Sequence, residues 1–324
     1  MAGMRRIMLM MAAPLACLAQ TPDIHVNVRE VLVSASVSTR DGAPVQNLRK
    51  EDFTVLDQGQ PHEIRSFWRD IDLPLTIGLV IDVGGGQVGV IEKERETLRR
   101  FLMQVLGPKD RAFLVVVGGH KVRLLTDLTG SVDELLGDLG GVKWLSREGE
   151  TLYDACDGMS TLVKIVTCDH PLWHGIHLVA LKMKELTGRK AMIVISSGVP
   201  AGTKRSLTEV IEAAQSADTL VYTIRYEGLT KTHPLAPVAS RFRDAPKYLT
   251  RLSEETGGRA YLSPGRSPTM FAEIENDLRS MYVLGFVPPE EASKGLFRKL
   301  EVKVANPSLR VRARPGYSVS RDRF

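Results

Sequence analysis

Cysteine is scarce in this 324-residue chain: Cys17, Cys156 and Cys168 are the only three. That excludes a disulfide-dense scaffold and a cysteine-rich metal cluster. Aromatic residues are few, at 6%, and the formal charge of +5 is small. The basic residues (Arg99-Arg100, Lys204-Arg205, Arg310 to Arg314) alternate with apolar ones. A nucleic-acid surface needs the reverse, cations clustered on one face among stacking rings, so nucleic acid is not an expected partner. No apolar run beyond Leu18 is long enough to cross a bilayer, and no transmembrane segment is expected there. What is present is 43% hydrophobic and 25% charged residues, the balance of a globular chain with a real core. The length suggests about two or three compact units.

The N-terminus carries an address. Arg5-Arg6 precede an apolar run from Ile7 to Leu18, and Ala19-Gln20 opens a polar stretch. This is a charged region, a short apolar region and a small-residue cleavage site, with Cys17 and Ala19 at the −3 and −1 places. Cleavage after Ala19 and export are expected, to the periplasm, the outer envelope or the medium. The alternative is lipid attachment at Cys17 after Leu15-Ala16, against which Pro14 stands where lipoprotein signals carry Leu. Export leaves Cys156 and Cys168. An oxidising compartment permits a disulfide between them, two buried thiols being the other outcome, and only their Cα separation decides.

Along the chain the rhythm changes. From Ile24 to Phe67 the period is two, with Val31, Val33, Ala35 and Val37 alternating up to the turn at Asp41-Gly42; strands are predicted. Leu75 to Asp82 is continuously apolar until its acid, as expected of a strand buried on both faces of a parallel sheet. Ile91 to Leu106 has helical spacing, and Ala112 to Val117, Val122 to Leu125, Lys190 to Ser196 and Leu220 to Ile224 are further strands. Capping boxes at Ser131/Glu134 and Ser206/Glu209 open helices. This alternation predicts a doubly wound, Rossmann-like, mostly parallel α/β sheet. Ligands in such sheets sit beyond the carboxyl ends of strands, which places Asp82 to Gly86 and Ser196 to Val199 on one edge. Phe271 to Met281 reads as a helix and Tyr282 to Val287 as a strand. Phe297 to Val304 and Leu309 to Ala313 alternate like a hairpin around Asn306-Pro307. The expected division is a signal peptide (1–19), a small β unit (20–70), an α/β domain (71–285) and a C-terminal β-hairpin extension (286–324).

Leu-Thr-Ile-Gly-Leu-Val-Ile-Asp82, Thr151-Leu-Tyr-Asp-Ala, Gly188-Arg-Lys-Ala-Met-Ile-Val-Ile-Ser-Ser-Gly198 and Leu220-Val-Tyr-Thr-Ile, in that order, resemble a von Willebrand factor A (VWA) domain. The flanks, Val45 to Gly59, Glu255-Thr-Gly-Gly-Arg-Ala-Tyr, Tyr282-Val-Leu-Gly-Phe and Arg310-Val-Arg-Ala-Arg-Pro-Gly-Tyr, resemble the VWFA-related proteins of acidobacterial type. The resemblance implies a cation-dependent adhesion site in which an Asp-x-Ser-x-Ser loop, a Thr and a second Asp surround a divalent ion. A hard cation such as Mg²⁺ takes its shell from oxygens. Asp82 matches the first acid, but Gly84 and Gly86 stand where the serines would be. Ser197 stands where the second acid would be, and Pro200 replaces a further acid. The threonine position has two alignments: Thr151 matches in letters, while Pro171, in His170-Pro-Leu-Trp-His-Gly, leaves one ordinary helix before the Gly188 turn. The metal site is therefore expected to be degenerate, with no cofactor bound. The alternative is Mg²⁺ or another divalent cation held by Asp82 and Thr151.

Other chemistries lack their parts. His170, His174 and His177 share a helix face at i, i+4 and i+7, but Pro171 starts the helix after the first of them, and there is no His-Glu-x-x-His pattern. Gly84-Gly85-Gly86 lacks the Lys-Ser/Thr of a phosphate loop, and Ser196-Ser197-Gly198 is not a nucleophile elbow. The expectation is a non-enzymatic protein-interaction or adhesion module with a protein partner. A structural envelope-assembly role is the further alternative.

Overall fold

The computed structural model describes residues 30–69, 73–83, 91–118, 120–141, 150–154, 171–198, 205–226, 236–262, 269–289 and 297–318. The expected leader, Gly84, Gly86, Cys156, Cys168, His170 and Pro200 lie outside them. Four strands come first: β1 (Val31–Ser38), β2 (Phe53–Asp57), β3 (Gln60–His62) and β4 (Ser66–Arg69). The apolar run then forms β5 (Leu75–Asp82), buried at every position. There follow α1 (Ile91–Val105), β6 (Arg111–Gly118), β7 (Lys121–Thr129), α2 (Val132–Gly141) and β8 (Glu150–Asp154). Next come α3 (Leu172–Lys184), β9 (Arg189–Ser196), α4 (Leu207–Ser216), β10 (Leu220–Arg225), α5 (Ala236–Thr256), β11 (Ala260–Tyr261) and α6 (Met270–Arg279). The chain ends in β12 (Met281–Phe286), β13 (Phe297–Val304), β14 (Arg310–Ala313) and β15 (Gly316–Ser318).

β5 to β11 form one seven-stranded sheet of order β11-β10-β9-β5-β6-β7-β8. The strands from β11 through β6 are mutually parallel, β7 is antiparallel to β6, and β8 to β7. The doubly wound, mostly parallel α/β fold is thus present. Residue parity splits its core in two. Ile77, Leu79, Ile81 and Ile193 face α1 and α6, whereas Val80, Val115, Val117 and Val194 face α3, α4 and α5. Burial on both sides is what makes β5 apolar throughout.

Local signals act as their chemistry dictates. Ser206 caps α4, accepting the Glu209 N–H while Glu209 accepts that of Ser206. Ser131 accepts the Glu134 N–H, but the Glu134 carboxylate takes the Thr129 hydroxyl, and that hydroxyl accepts the Ser131 N–H. The second box is relayed rather than reciprocal.

Gly175 lets α3 lie close on the sheet. A Cβ there would stand 2.6 Å from Val117 Cγ2, with Val122 beside it. Helix propensity favours alanine over glycine by about 1 kcal/mol, yet overpacking a buried contact costs about 1–3 kcal/mol. Gly175→Ala is therefore expected to destabilise by about 1 kcal/mol, read by urea denaturation; a more stable variant would mean that α3 is free to lift.

The remaining strands form two antiparallel sheets, β14-β1-β12-β4 and β15-β13-β2-β3. They share one apolar core: Val33, Ala35, Val37, Tyr282, Leu284 and Phe286 from the first, Phe53, Val55, Leu300 and Tyr317 from the second. Three differences from the sequence reading follow. Residues 20–70 and 286–324 do not make separate units, because β1 hydrogen-bonds to both β12 and β14, and β2 to β13. β12, which the expected boundary at 285 places in the α/β domain but for Phe286, belongs to this sandwich. β13 and β14 are not a hairpin: the chain changes sheet at Asn306 to Leu309, β13 pairing with β2 and β15 and β14 with β1. Alternation marks a half-buried strand without naming its partner.

Candidate functional site

The carboxyl edge of the central sheet collects the residues singled out by sequence. Asp82 ends β5, is 3% exposed, and by parity lies on the Val80 side. Ser196 ends the adjacent β9 on that same side and is fully buried. Its hydroxyl donates to Asp82 Oδ2 at 2.6 Å and accepts the Gly198 N–H at 2.9 Å. One carboxylate oxygen is thus engaged by a charge-assisted hydrogen bond, and the serine has both a donor and an acceptor role filled. Gly198 makes this turn with φ +75°, and a Cβ there would meet Leu249 at 2.6 Å, so both the left-handed conformation and the packing call for glycine.

Ser197 follows, 4% exposed. Its carbonyl accepts from Arg225 Nε at 3.2 Å, and Arg225 is the register partner of Ser196 on β10. The Ser196 carbonyl accepts the Tyr226 N–H. Asp82, Ser196 and Arg225 therefore form a row across three neighbouring strands, in which the fixed cation is a guanidinium. Sequence reasoning placed Ser196 on this edge without giving it a partner, and passed over Arg225. The available signals were the phase of Ser196 with Met192 and Val194, and a lone cation ending the apolar run Leu220 to Ile224.

The two threonine alignments separate clearly. Asp82 is in register with Val117, Val117 with Val122, and Val122 with Tyr153, while Thr151 pairs with Arg123, earlier on β8 and further from the edge. Three strand spacings, about 14 Å at roughly 4.8 Å each, lie between the Asp82 and Thr151 strands. Pro171 is instead the buried residue preceding α3, its carbonyl accepting the Gly175 N–H at 2.8 Å. Since Gly175 rests on Val117 and Val122, Pro171 stands at the carboxyl edge beside the Asp82 column.

Among the described residues, no three of His, Cys, Asp and Glu gather where an ion could bind. His174 and His177 keep their rings 6.4 Å apart. Burial holds the His177 pKa below its ordinary value, Arg205 on the neighbouring segment adds to this, and Glu209 opposes it. The fold therefore favours neutral His177, whereas the unfolded chain binds that proton from about pH 6.5 downward. Stability contributed by the neutral ring is complete above that pH and is lost as pH falls toward the lower, folded pKa. His177→Gln is expected to reduce the fall in melting temperature between pH 7 and pH 5.5; an unchanged fall would rule His177 out as its source.

A doubly wound sheet with one antiparallel strand beside β6 and helices on both faces defines the class: this is a von Willebrand factor A-like fold, here joined to a β-sandwich built from strands that precede and follow it in the chain. No protein-family model and no curated protein matches the chain. Solved structures do. The protein BatB from Bacteroides thetaiotaomicron is similar at 13% identity over 64% of this chain and 100% of its own, with a TM-score of 0.40. The SpRpn10 VWA domain is similar at 14% identity over 59% and 90%, TM-score 0.37. Three N-terminal domains of the type V pili tip protein Mfa5 from Porphyromonas gingivalis are similar at 10% identity over 90% and 68%, TM-score 0.44.

Proposed function

We propose that this chain is an exported, non-enzymatic interaction module that engages a protein partner at the carboxyl edge of its central sheet, without a metal-bridged carboxylate. The observation that carries the reading is the Ser196 hydroxyl bound to Asp82 Oδ2. The acid that would anchor an ion is drawn into an internal hydrogen bond. The other would-be ligands offer little: Gly84 and Gly86 have no side-chain oxygen, position 197 has a hydroxyl in place of a carboxylate, and Thr151 belongs to a strand three places away. A divalent ion wants several oxygens converging within about 2.0–2.6 Å, and this set does not fit one. Catalysis is disfavoured on similar grounds. The Ser196 hydroxyl donates a hydrogen bond to Asp82 and accepts the Gly198 N–H, but it is fully buried, which keeps it from a substrate.

Calorimetry of the whole chain with Mg²⁺ or Mn²⁺ tests this directly. No binding heat is expected in the parent or in Asp82→Ala. Saturable heat in the parent that disappears in Asp82→Ala overturns the metal-free reading. Partners recovered from envelope extract are correspondingly expected to survive EDTA washing, and their release by EDTA would count against the proposal.

A further inference from the structure

The opposite, amino-terminal pole of the central sheet faces the outer side of the β14-β1-β12-β4 sheet, and the two surfaces border an open cavity of about 350 Å³. Parity explains why. β1 turns Val33, Ala35 and Val37 into the sandwich core, which leaves Leu32 and Ser34 facing outward, and β12 likewise presents Val283. Leu220 and Leu278 come from the α/β side, and Trp68 lines the cavity from β4. Such apolar walls with a few polar groups suit an organic ligand, and the volume falls in the range of about 300–1,000 Å³ typical of small-molecule sites.

The charges on the wall choose the sign. Arg189 and Lys190 open β9 here, against one carboxylate, Asp218; an adjoining recess that shares Leu32, Ser34 and Asp218 adds Arg314. Three cations against one anion leave a formal charge of +2. Arg189 is held in place by donating to the carbonyls of Leu73 and Leu278, each at 2.8 Å. Arg314 donates to Asp218 at 3.2 Å and to the Leu32 carbonyl at 2.8 Å. The Lys190 ammonium donates to the Leu186 carbonyl at 3.2 Å; an ammonium carries three N–H groups. Burial lowers the Lys190 pKa while Asp218 pulls the other way, so an anion placed there would be stabilised by a partly desolvated cation.

We propose that this cavity binds a small anionic amphiphile, a carboxylate or sulfonate on an aliphatic or aromatic body, with the apolar part against Trp68 and the leucines and the anion toward Lys190. The site is independent of the Asp82 edge.

Titration of the whole chain with decanoate below its micellar concentration tests it, with decyltrimethylammonium as the same-length cationic control. Decanoate is expected to saturate at one per chain and the cation to bind at least tenfold more weakly. Lys190→Gln should weaken decanoate about tenfold, Lys190→Arg less than threefold, and thermal melting of both variants without ligand should match the parent. Asp82→Ala should bind decanoate as the parent does, which separates this site from the metal question. Absence of saturable decanoate binding, equal binding of the two probes, or an unaltered affinity in Lys190→Gln overturns the proposal.

Discussion

Arg298→Ala is expected to lower the unfolding free energy by about 3 kcal/mol, the low end of what breaking a buried ion pair costs. The Asp57 side chain is fully buried, and its carboxylate accepts from Arg298 Nε at 3.0 Å, from Arg298 Nη2 at 2.8 Å and from the Tyr317 hydroxyl at 3.0 Å. The arginine side chain is 18% exposed, so water reaches it in part and the upper end of the range is not expected. Without the guanidinium, the carboxylate keeps one phenol and a distant His62 at 3.9 Å. Desolvation pushes the Tyr317 phenol up, Asp57 pushes it further, and Arg298 opposes both; the phenol therefore stays a neutral donor to Asp57 and cannot replace the guanidinium charge. A stranded charge, rather than a lost attraction, is the source of the penalty. The double variant Asp57→Leu/Arg298→Met should accordingly be more stable than Arg298→Ala, since it strands nothing. Urea denaturation measures both. A loss below about 1 kcal/mol for Arg298→Ala, within the range of exposed pairs, would mean that solvent reaches Asp57. Because Asp57 lies on β2 and Arg298 on β13, the same measurement tests whether the two ends of the chain stand as one sandwich.

That union was the part of the fold least legible in the sequence. β5, α1, β9 and α4 were readable because each carries a local signal: an unbroken apolar run, a helical stripe, a capping serine. Burial on both faces is a property of one strand and needs no partner to be named. β12 shows the limit of the same signal. Met281 to Phe286 is apolar throughout because Tyr282, Leu284 and Phe286 fill the sandwich while Met281 packs with the α/β core. An apolar run reports two covered faces and not what covers them. The turn at Asn306-Pro307 is similar. Both a hairpin and a crossing between sheets need a polar turn between alternating strands, and only tertiary pairing distinguishes them.

At the site, Asp82 was legible as an acid terminating a buried strand, and Pro171 as a helix start. The Asp82–Ser196 bond was not, because residues 114 positions apart meet only through the register of β5 with β9. The Thr151 match in letters had the same weakness. Five residues of similar text carry no information on strand order, and β8 enters the sheet at its far edge.

The chain that carries Gly84→Ser, Gly86→Ser, Ser197→Asp and Pro171→Thr is expected to gain Mg²⁺ binding that the parent lacks. Each change restores an oxygen at a position where the VWA resemblance requires one, and a second carboxylate beside Asp82 supplies the charge a hard dication needs against its own dehydration. With two acids at the edge, the ion also relieves a repulsion that the parent never has, so Asp82 gains a reason to release Ser196. Binding to the folded state alone stabilises it by about 2.7 kcal/mol at a Mg²⁺ concentration one hundred times the Kd, a shift that thermal melting resolves easily. The parent should show no Mg²⁺-dependent shift. The triple variant that retains Pro171 decides the alignment. If Pro171 occupies the threonine position, the triple variant binds at least tenfold more weakly than the quadruple one, and adding Thr151→Ala to the quadruple variant changes nothing. If instead the triple variant binds equally well and Thr151→Ala abolishes it, then β8 delivers the ligand and the edge described by Asp82, Ser196 and Pro171 is the wrong one. A distance of about 14 Å between the strands of Asp82 and Thr151 makes the first outcome the expected one.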